Sequence, residues 1–541
     1  MECYPGVAIE RLWRALEPIF EPSQMILTED FLLPSDELNR RMAPLLTNDP
    51  VFGVMNPIEI KDYFDPKKLE TARREAEAPH EGITLVMGVG ATLVAPDPDL
   101  LIYADLARWE IQQRQRRGEI GNLGADNIDE LPSLKYKRAF FLDWRAADRL
   151  KQTLLTRIDF VLDTNNPRVS KMISGEAMRQ GLRNAVRGPF RVVPFFDPGP
   201  WGGHWLEEVC DLPRNVPNYA WGFDCVPEEN SLLLGFGDAR VEIPSINLVF
   251  AQPRELLGDD IYEHFGAEFP IRFDFLDTVG GGNLSLQVHP LTQYVRDKFD
   301  LFYTQDESYY MLDAKEDACV YLGTKENIDP AAMLRDLKTA QEPDGEPFNA
   351  DLYINKWPAK KHDHFLIPAG TVHCSGRDSM VLEISATPYI FTFKLWDWGR
   401  MGLDGRPRPI HLERGAANIQ WDRTTNWVRR WLINRVEPLS SGDGWREERT
   451  GLHEFEFIET RRHWFTGTVP HDTGGTVNVL NLVEGRQAVL ESPTNSFPPF
   501  TVHYAETFIV PAQVGRYTIR PSGPAEGTEC ATIKAFVRPQ K

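Results

Sequence analysis

The feature that most constrains this chain is a change of pattern near residue 190, which no single layered core can accommodate. Before it, apolar residues recur at helical spacing, as in Ile9 to Leu16, and a polar, charged helix is expected from Leu106 to a break at Gly118. Between them, Ile83 to Met87, Leu100 to Tyr103 and Arg138 to Leu142 read as short buried strands, and helices alternating with such strands predict an α/β layer domain. After residue 190, short strands separated by Pro, Gly and Asp turns take over, the pattern of β-barrels and jelly rolls. With 541 residues, about three domains are expected. They are an α/β domain over residues 1–190, a first barrel over 191–430 and a second barrel over 431–541.

Three separated pieces of the first barrel carry chemistry. The run Leu284 to His289 alternates faces as a strand does, so Leu284, Leu286 and Val288 pack on one side while Ser285, Gln287 and His289 share the other. Glu307 opens the strand-like Tyr309 to Leu312, and His373 follows a strand that ends in a Pro/Gly turn, Pro368 to Gly370. Read alone, each His fits a satisfied residue of a core or surface. Together they offer an amide oxygen, two imidazoles and a carboxylate, a set that suits zinc or another borderline divalent ion with a coordination position left open.

From Pro200-Trp201-Gly202-Gly203 onward the chain resembles a known family. Pro253 to Gly258, Leu276-Asp277, Ser285 to Pro290, Tyr321-Leu322-Gly323, Pro368 to His373, Trp396 to Arg400 and Pro407 to His411 keep the order of the class I mannose-6-phosphate isomerases, zinc-dependent cupin enzymes. The resemblance implies Gln287, His289, Glu307 and His373 as metal ligands, Arg400 facing the substrate oxygens and Glu383 lining the pocket. It implies an aldose-ketose isomerase acting on a hexose or hexose phosphate through an enediol. Such a reaction needs a polarised carbonyl, a proton-shuttling base and a fixed cation.

Departures from the family pattern bear on the substrate. Gln305 and Asp274 stand where the family carries lysines, so Arg272, Lys394 or Arg406 would have to supply charge for a phosphate. One extra residue at Ser385 to Pro388 would reverse the facing of the residues after it unless a bulge absorbs it. Arg400 also fits a purely structural ion pair with Asp397.

Two glycine turns of the first domain, Tyr4 to Val7 and Gly88 to Ala91, resemble phosphate cradles, and the region is vaguely similar to P-loop nucleoside or uridine kinases. It lacks GxxxxGK[ST], which points to a degenerate domain without catalysis. Arg145, Arg149 and Arg157 read as a solvated helix face. In the second barrel, Phe508 to Ala512 echoes Phe365 to Ala369, the mark of a duplicated jelly roll, yet its turn Gln513-Val514-Gly515 has no His. That barrel is expected to pack, cap or dimerise.

A net charge of -20 argues against nucleic-acid and anionic-membrane partners. Six cysteines without CxxC spacing, and no apolar run or basic leader, suit a cytoplasmic protein with reduced thiols. The partner expected is a small sugar or sugar phosphate, with a homodimer as the assembly. The alternative reading is a cupin that binds a sugar without turnover, as a sensor with nucleotide regulation, and a third is a bifunctional kinase and isomerase.

Overall fold

The computed structural model describes residues 1–538 apart from 56, 80, 167, 343, 388, 390 and 452–455. The chain forms two compact units. One comprises Met1–Asn184 with Glu228–Ala251 and Lys298–Asp300; the other comprises Ala185–Pro227, Gln252–Asp297 and Leu301–Lys541.

In the first unit Glu2–Cys3, Ile102–Asp105 and Phe160–Asp163 pair in parallel, and Lys171–Ser174 closes the edge antiparallel. Gln24–Leu27 and Thr84–Met87 form a second parallel pair, tied to the first sheet by a bridge between Glu2 and Gly88. Parallel neighbours need crossovers, and helices such as Ser35–Leu46, Pro66–Glu77 and Arg108–Arg116 supply them. The expected α/β layer is therefore present.

Three expectations for this unit need correction. Arg138 to Leu142 is helical: Pro132–Arg138, a π-helical turn over Ala139–Asp143 and Trp144–Leu154 run on from one another, with Phe140, Phe141 and Leu142 buried. A run buried on all sides has no apolar period to tell strand from helix. The Gly88 to Ala91 turn cradles an anion of the chain's own, since Gly90 N and Thr92 N donate to the Glu2 carboxylate at 2.6 and 2.8 Å. Its amides are thus committed to a buried side chain rather than offered to a phosphate. Arg145 pairs with Glu228 and Arg149 donates to the Ile58 carbonyl, both largely shielded, so only Arg157 of the three stands substantially in solvent.

The second unit holds two antiparallel double-layered barrels. In the first, a six-stranded sheet runs in the order His364–Ile367, Asp306–Ala314, Ser379–Ala386, Arg272–Asp277, Trp221–Cys225, Phe195–Asp197. Its five-stranded companion runs Ile354–Pro358, Cys319–Thr324, His373–Ser375, Leu286–Val288, Phe393–Trp396. The Trp201-Gly202-Gly203 turn fits only glycine, because a Cβ on Gly203 would lie 2.2 Å from an Asp277 carboxylate oxygen.

In the second barrel the sheets run Glu437–Gly442, Trp445–Arg449, Ile458–Phe465, Cys530–Val537, Asn478–Glu484, Thr507–Val510 and Val469–Asp472, Arg516–Pro521, Gln487–Glu491, Phe500–His503. Leu480, Leu482, Leu490, Phe508 and Ile519 fill its interior with almost no exposure. Each such side chain contributes about 1.5–3 kcal/mol by leaving water, and Leu482→Ala would cost roughly 2–5 kcal/mol. Glu454 and Phe455, within the residues assigned to this barrel, lie outside the described residues. Among the described residues no helix is long and apolar enough to cross a membrane, and all six cysteines are free.

Candidate metal centre

Strand register brings the separated ligand residues together. Gln287 is paired across the five-stranded sheet with His373, and His289 follows the same strand one alternation on. Glu307 comes from Asp306–Ala314 in the facing sheet. His289 Nε2 lies 3.0 Å from Glu307 Oε2, His373 Nε2 lies 2.9 Å from Glu307 Oε1, and the Gln287 amide nitrogen is 3.2 Å from His373 Nε2. Both rings and the carboxylate are fully buried.

The hydrogen bonds around these groups leave acceptors pointing inward. The Nδ1 of His289 lies 2.7 Å from the Phe391 carbonyl, and that of His373 lies 2.9 Å from the Thr371 carbonyl, so each Nδ1–H donates outward and each Nε2 presents a lone pair to Glu307. His289 Nε2 and Glu307 Oε1 are buried without a hydrogen-bond partner. Two lone pairs and a carboxylate converging in a dry site repel unless a cation lies between them, and their nitrogen and oxygen donors suit a zinc-like ion. The ligand atoms of His289, Glu307 and His373 all lie within 4.8 Å of one another. Gln287 completes the set once its carboxamide turns to present oxygen instead of nitrogen.

Glu383 lies on the same face of the six-stranded sheet as Glu307. Tyr309 is opposite Glu383 and two residues from Glu307, and Asp274 is opposite Glu383 on the other side. Burial, then Asp274 and Glu307, push the Glu383 carboxyl well above its usual value. Ser379–Ala386 runs unbroken past Glu383; Pro388, within the expected insertion, lies outside the described residues. Gln305 ties the two carboxylates together: its amide N–H group donates to Glu307 at 2.9 Å and to Glu383 at 3.4 Å.

Positive charge enters from the other sheet. Lys394 is the cross-strand partner of Gln287 and shares its face. Burial, then Arg408, lower its ammonium to about 7. Arg400 donates to Asp397 at 2.6 Å, Arg408 pairs with the other oxygen of Asp397, and Ser285 Oγ donates to that carboxylate at 2.9 Å. Arg400 is therefore in the expected ion pair, with its acid anchored to the pocket-facing row of Leu284 to His289. Of the residues expected to compensate for the missing lysines, Arg406 is exposed and Arg272 lies 4.0 Å from Asp274, which leaves Lys394 nearest the ligands. Arg408 and Asp397 were not among the expected site residues, although Asp397 lies within the Trp396 to Arg400 motif and Arg408 within Pro407 to His411.

Residues 1–187 match a domain family of unknown function, DUF8485. The probable mannose-6-phosphate isomerase GmuF of Bacillus subtilis is 30% identical over 335 residues, 61% of this chain and 96% of that protein. A mannose-6-phosphate isomerase of Streptococcus mutans is 26% identical over 235 residues, 43% of this chain and 68% of its own length. The crystal structure of the mannose 6-phosphate isomerase from Bacillus subtilis superposes on 65% of this chain and all of that one, with a TM-score of 0.53 at 18% identity, and shows the same cupin fold. By sequence over nearly the whole length of a relative, and by the fold of its barrels, this chain belongs to the mannose-6-phosphate isomerase family.

Proposed function

We propose that the first barrel is a metal-dependent isomerase that interconverts the aldose and ketose forms of a hexose phosphate, with mannose 6-phosphate as the leading substrate. The observation that carries this reading is the buried, acceptor-only convergence of His289, Glu307 and His373 beside a second carboxyl, Glu383. Gln287, His289, Glu307 and His373 would hold a divalent ion such as zinc. Once bound, that ion supplies Lewis-acid polarisation of the sugar's carbonyl and hydroxyl oxygens.

The remaining steps fall to the protein's own side chains. Glu383, whose proton affinity is raised by burial and by neighbouring acids, takes a proton from one carbon of the sugar and returns it to the adjacent one, while the hydroxyl proton passes from one of the two sugar oxygens to the other. The Gln305 amide holds Glu307 and Glu383 in fixed relation through the transfer. Lys394, Arg400 and Arg408 offer charge-assisted hydrogen bonds to the phosphate and to the oxyanion that develops as the proton leaves. Asp397 orients both guanidinium groups. The test is metal analysis of the purified protein with an isomerisation panel of hexoses and hexose phosphates. A protein with no stoichiometric metal, or one that binds a hexose phosphate and never interconverts it, would defeat the proposal.

A further inference from the structure

The second barrel repeats the geometry of the first with different chemistry at the equivalent place. In the first barrel Glu307 is opposite Ile367, the residue before Pro368. In the second, Asn478 is opposite Val510, the residue before Pro511, so Asn478 occupies the Glu307 position. Two residues further along, Tyr309 is opposite Glu383 and Leu480 is opposite Lys534, which puts Lys534 in the place of Glu383. Across the smaller sheet Gln287 faces His373, and His471 faces Tyr517. The tie between positions persists as well: Tyr517 donates its hydroxyl to Asn478 at 3.2 Å, where His373 meets Glu307 at 2.9 Å.

These side chains point inward. His471, Tyr517, Asn478 and Lys534 alternate in phase with Val469, Ile519, Leu480 and Cys530 of the barrel core. The cluster is rich in polar groups with nothing to bond. His471 is 6% exposed, its ring stacked 4.9 Å from that of Tyr517, and neither ring nitrogen has a hydrogen-bond partner. His463 Nδ1 and Thr532 Oγ1, cross-strand neighbours on the same inward face, are likewise unsatisfied.

Charge decides the class of occupant. Glu447 is already answered by His463 at 3.2 Å, Arg461 at 3.1 Å and Ser440 at 2.7 Å. Lys534 is 5% exposed and makes no hydrogen bond or ion pair among the described residues; its nearest recorded contact is the Phe536 ring at 5.6 Å. A buried lysine side chain beside two imidazoles with unpartnered nitrogens disfavours a metal ion and suits an anion with several acceptor oxygens.

We propose that the second barrel is a binding site for a small oxyanion, a phosphate or carboxylate group, held by Lys534 and His471 at the place equivalent to the first barrel's metal centre. The site stands apart from the isomerase reading and does not depend on it.

Equilibrium dialysis of the full chain with labelled inorganic phosphate, competed by citrate in one arm and by mannose 6-phosphate in another, tests it and separates the sources. Lys534→Met should weaken one class of phosphate site by about tenfold or more, while Lys534→Arg retains it and isomerisation at saturating substrate stays unchanged. His471→Phe keeps the stacked ring, removes both nitrogens and should weaken the same class, which guards against a Lys534→Met protein that does not fold. Identical phosphate binding in the wild type and both variants would overturn the proposal. So would a phosphate-soaked crystal with only water between Lys534 and His471.

Discussion

Replacing Glu383 by Gln separates chemistry from architecture at this site more cleanly than any other change. The side chain is 7% exposed and its neighbours are Asp274 and Glu307, both acidic, with Gln305 donating to it at 3.4 Å. Gln has the same shape and still accepts from Gln305, so no cavity opens. It also removes a titratable carboxyl from a dry face shared with Asp274 and Glu307, so thermal stability should equal or exceed that of the wild type. It cannot take a proton from carbon. General acid-base catalysis contributes about 10²–10⁴-fold, so kcat should fall by that factor, roughly 3–5 kcal/mol of barrier. The measurement is kcat by a coupled assay on metal-loaded protein, alongside metal content and calorimetric Tm. A kcat within about tenfold of wild type would show that Glu383 does not move the proton. Loss of metal in the variant would show that it acts through Glu307 instead.

Three further outcomes are expected. Chelation should lower Tm reversibly, since an ion present at a thousand times its Kd stabilises by about 4 kcal/mol; Glu307→Gln should have a Tm that no longer responds to chelator. Lys394→Met should raise KM for a hexose phosphate by about tenfold or more while changing a neutral sugar's kinetics little, and equal effects on both would remove Lys394 from phosphate binding. Stability should fall on mild acidification. Burial lowers His364 to about 3 and His463 to about 4, while the unfolded chain protonates them near about 6.5. The unfolded state then binds more protons, so their contribution is whole above about pH 6.5 and is lost as pH falls toward those values. Urea midpoints between pH 7.5 and 4.5 should show this decline, and His364→Phe should flatten it.

How much of the molecule is legible in its sequence depends on whether residues keep a period. The ligand strand is readable because Ser285, Gln287 and His289 alternate with apolar residues packed on the other face, and the register confirms that one face converges on His373. The helix at Phe140 reads wrongly as a strand because residues buried on every side erase the alternation on which such reading relies. The Gly88 turn misleads for a different reason. Glycines announce exposed amides, but only the fold shows that Glu2, nearly ninety positions earlier, already bonds to them. In the second barrel a search for histidine in the turn passes over the equivalent site, because Tyr517 and Lys534 are chemically unlike His373 and Glu383.

Asp397 also sets an electrical balance for the first barrel. Lys394, Arg400 and Arg408 gather around a single carboxylate, so the cluster keeps a surplus that approaches two elementary charges when the lysine is protonated. A phosphate monoester carries close to two negative charges at neutral pH. Its arrival would neutralise the patch and draw a proton onto Lys394, whereas an uncharged hexose would leave the same patch uncompensated, so selection for the phosphorylated sugar would lie in the counter-charge of one aspartate as much as in the cations it holds.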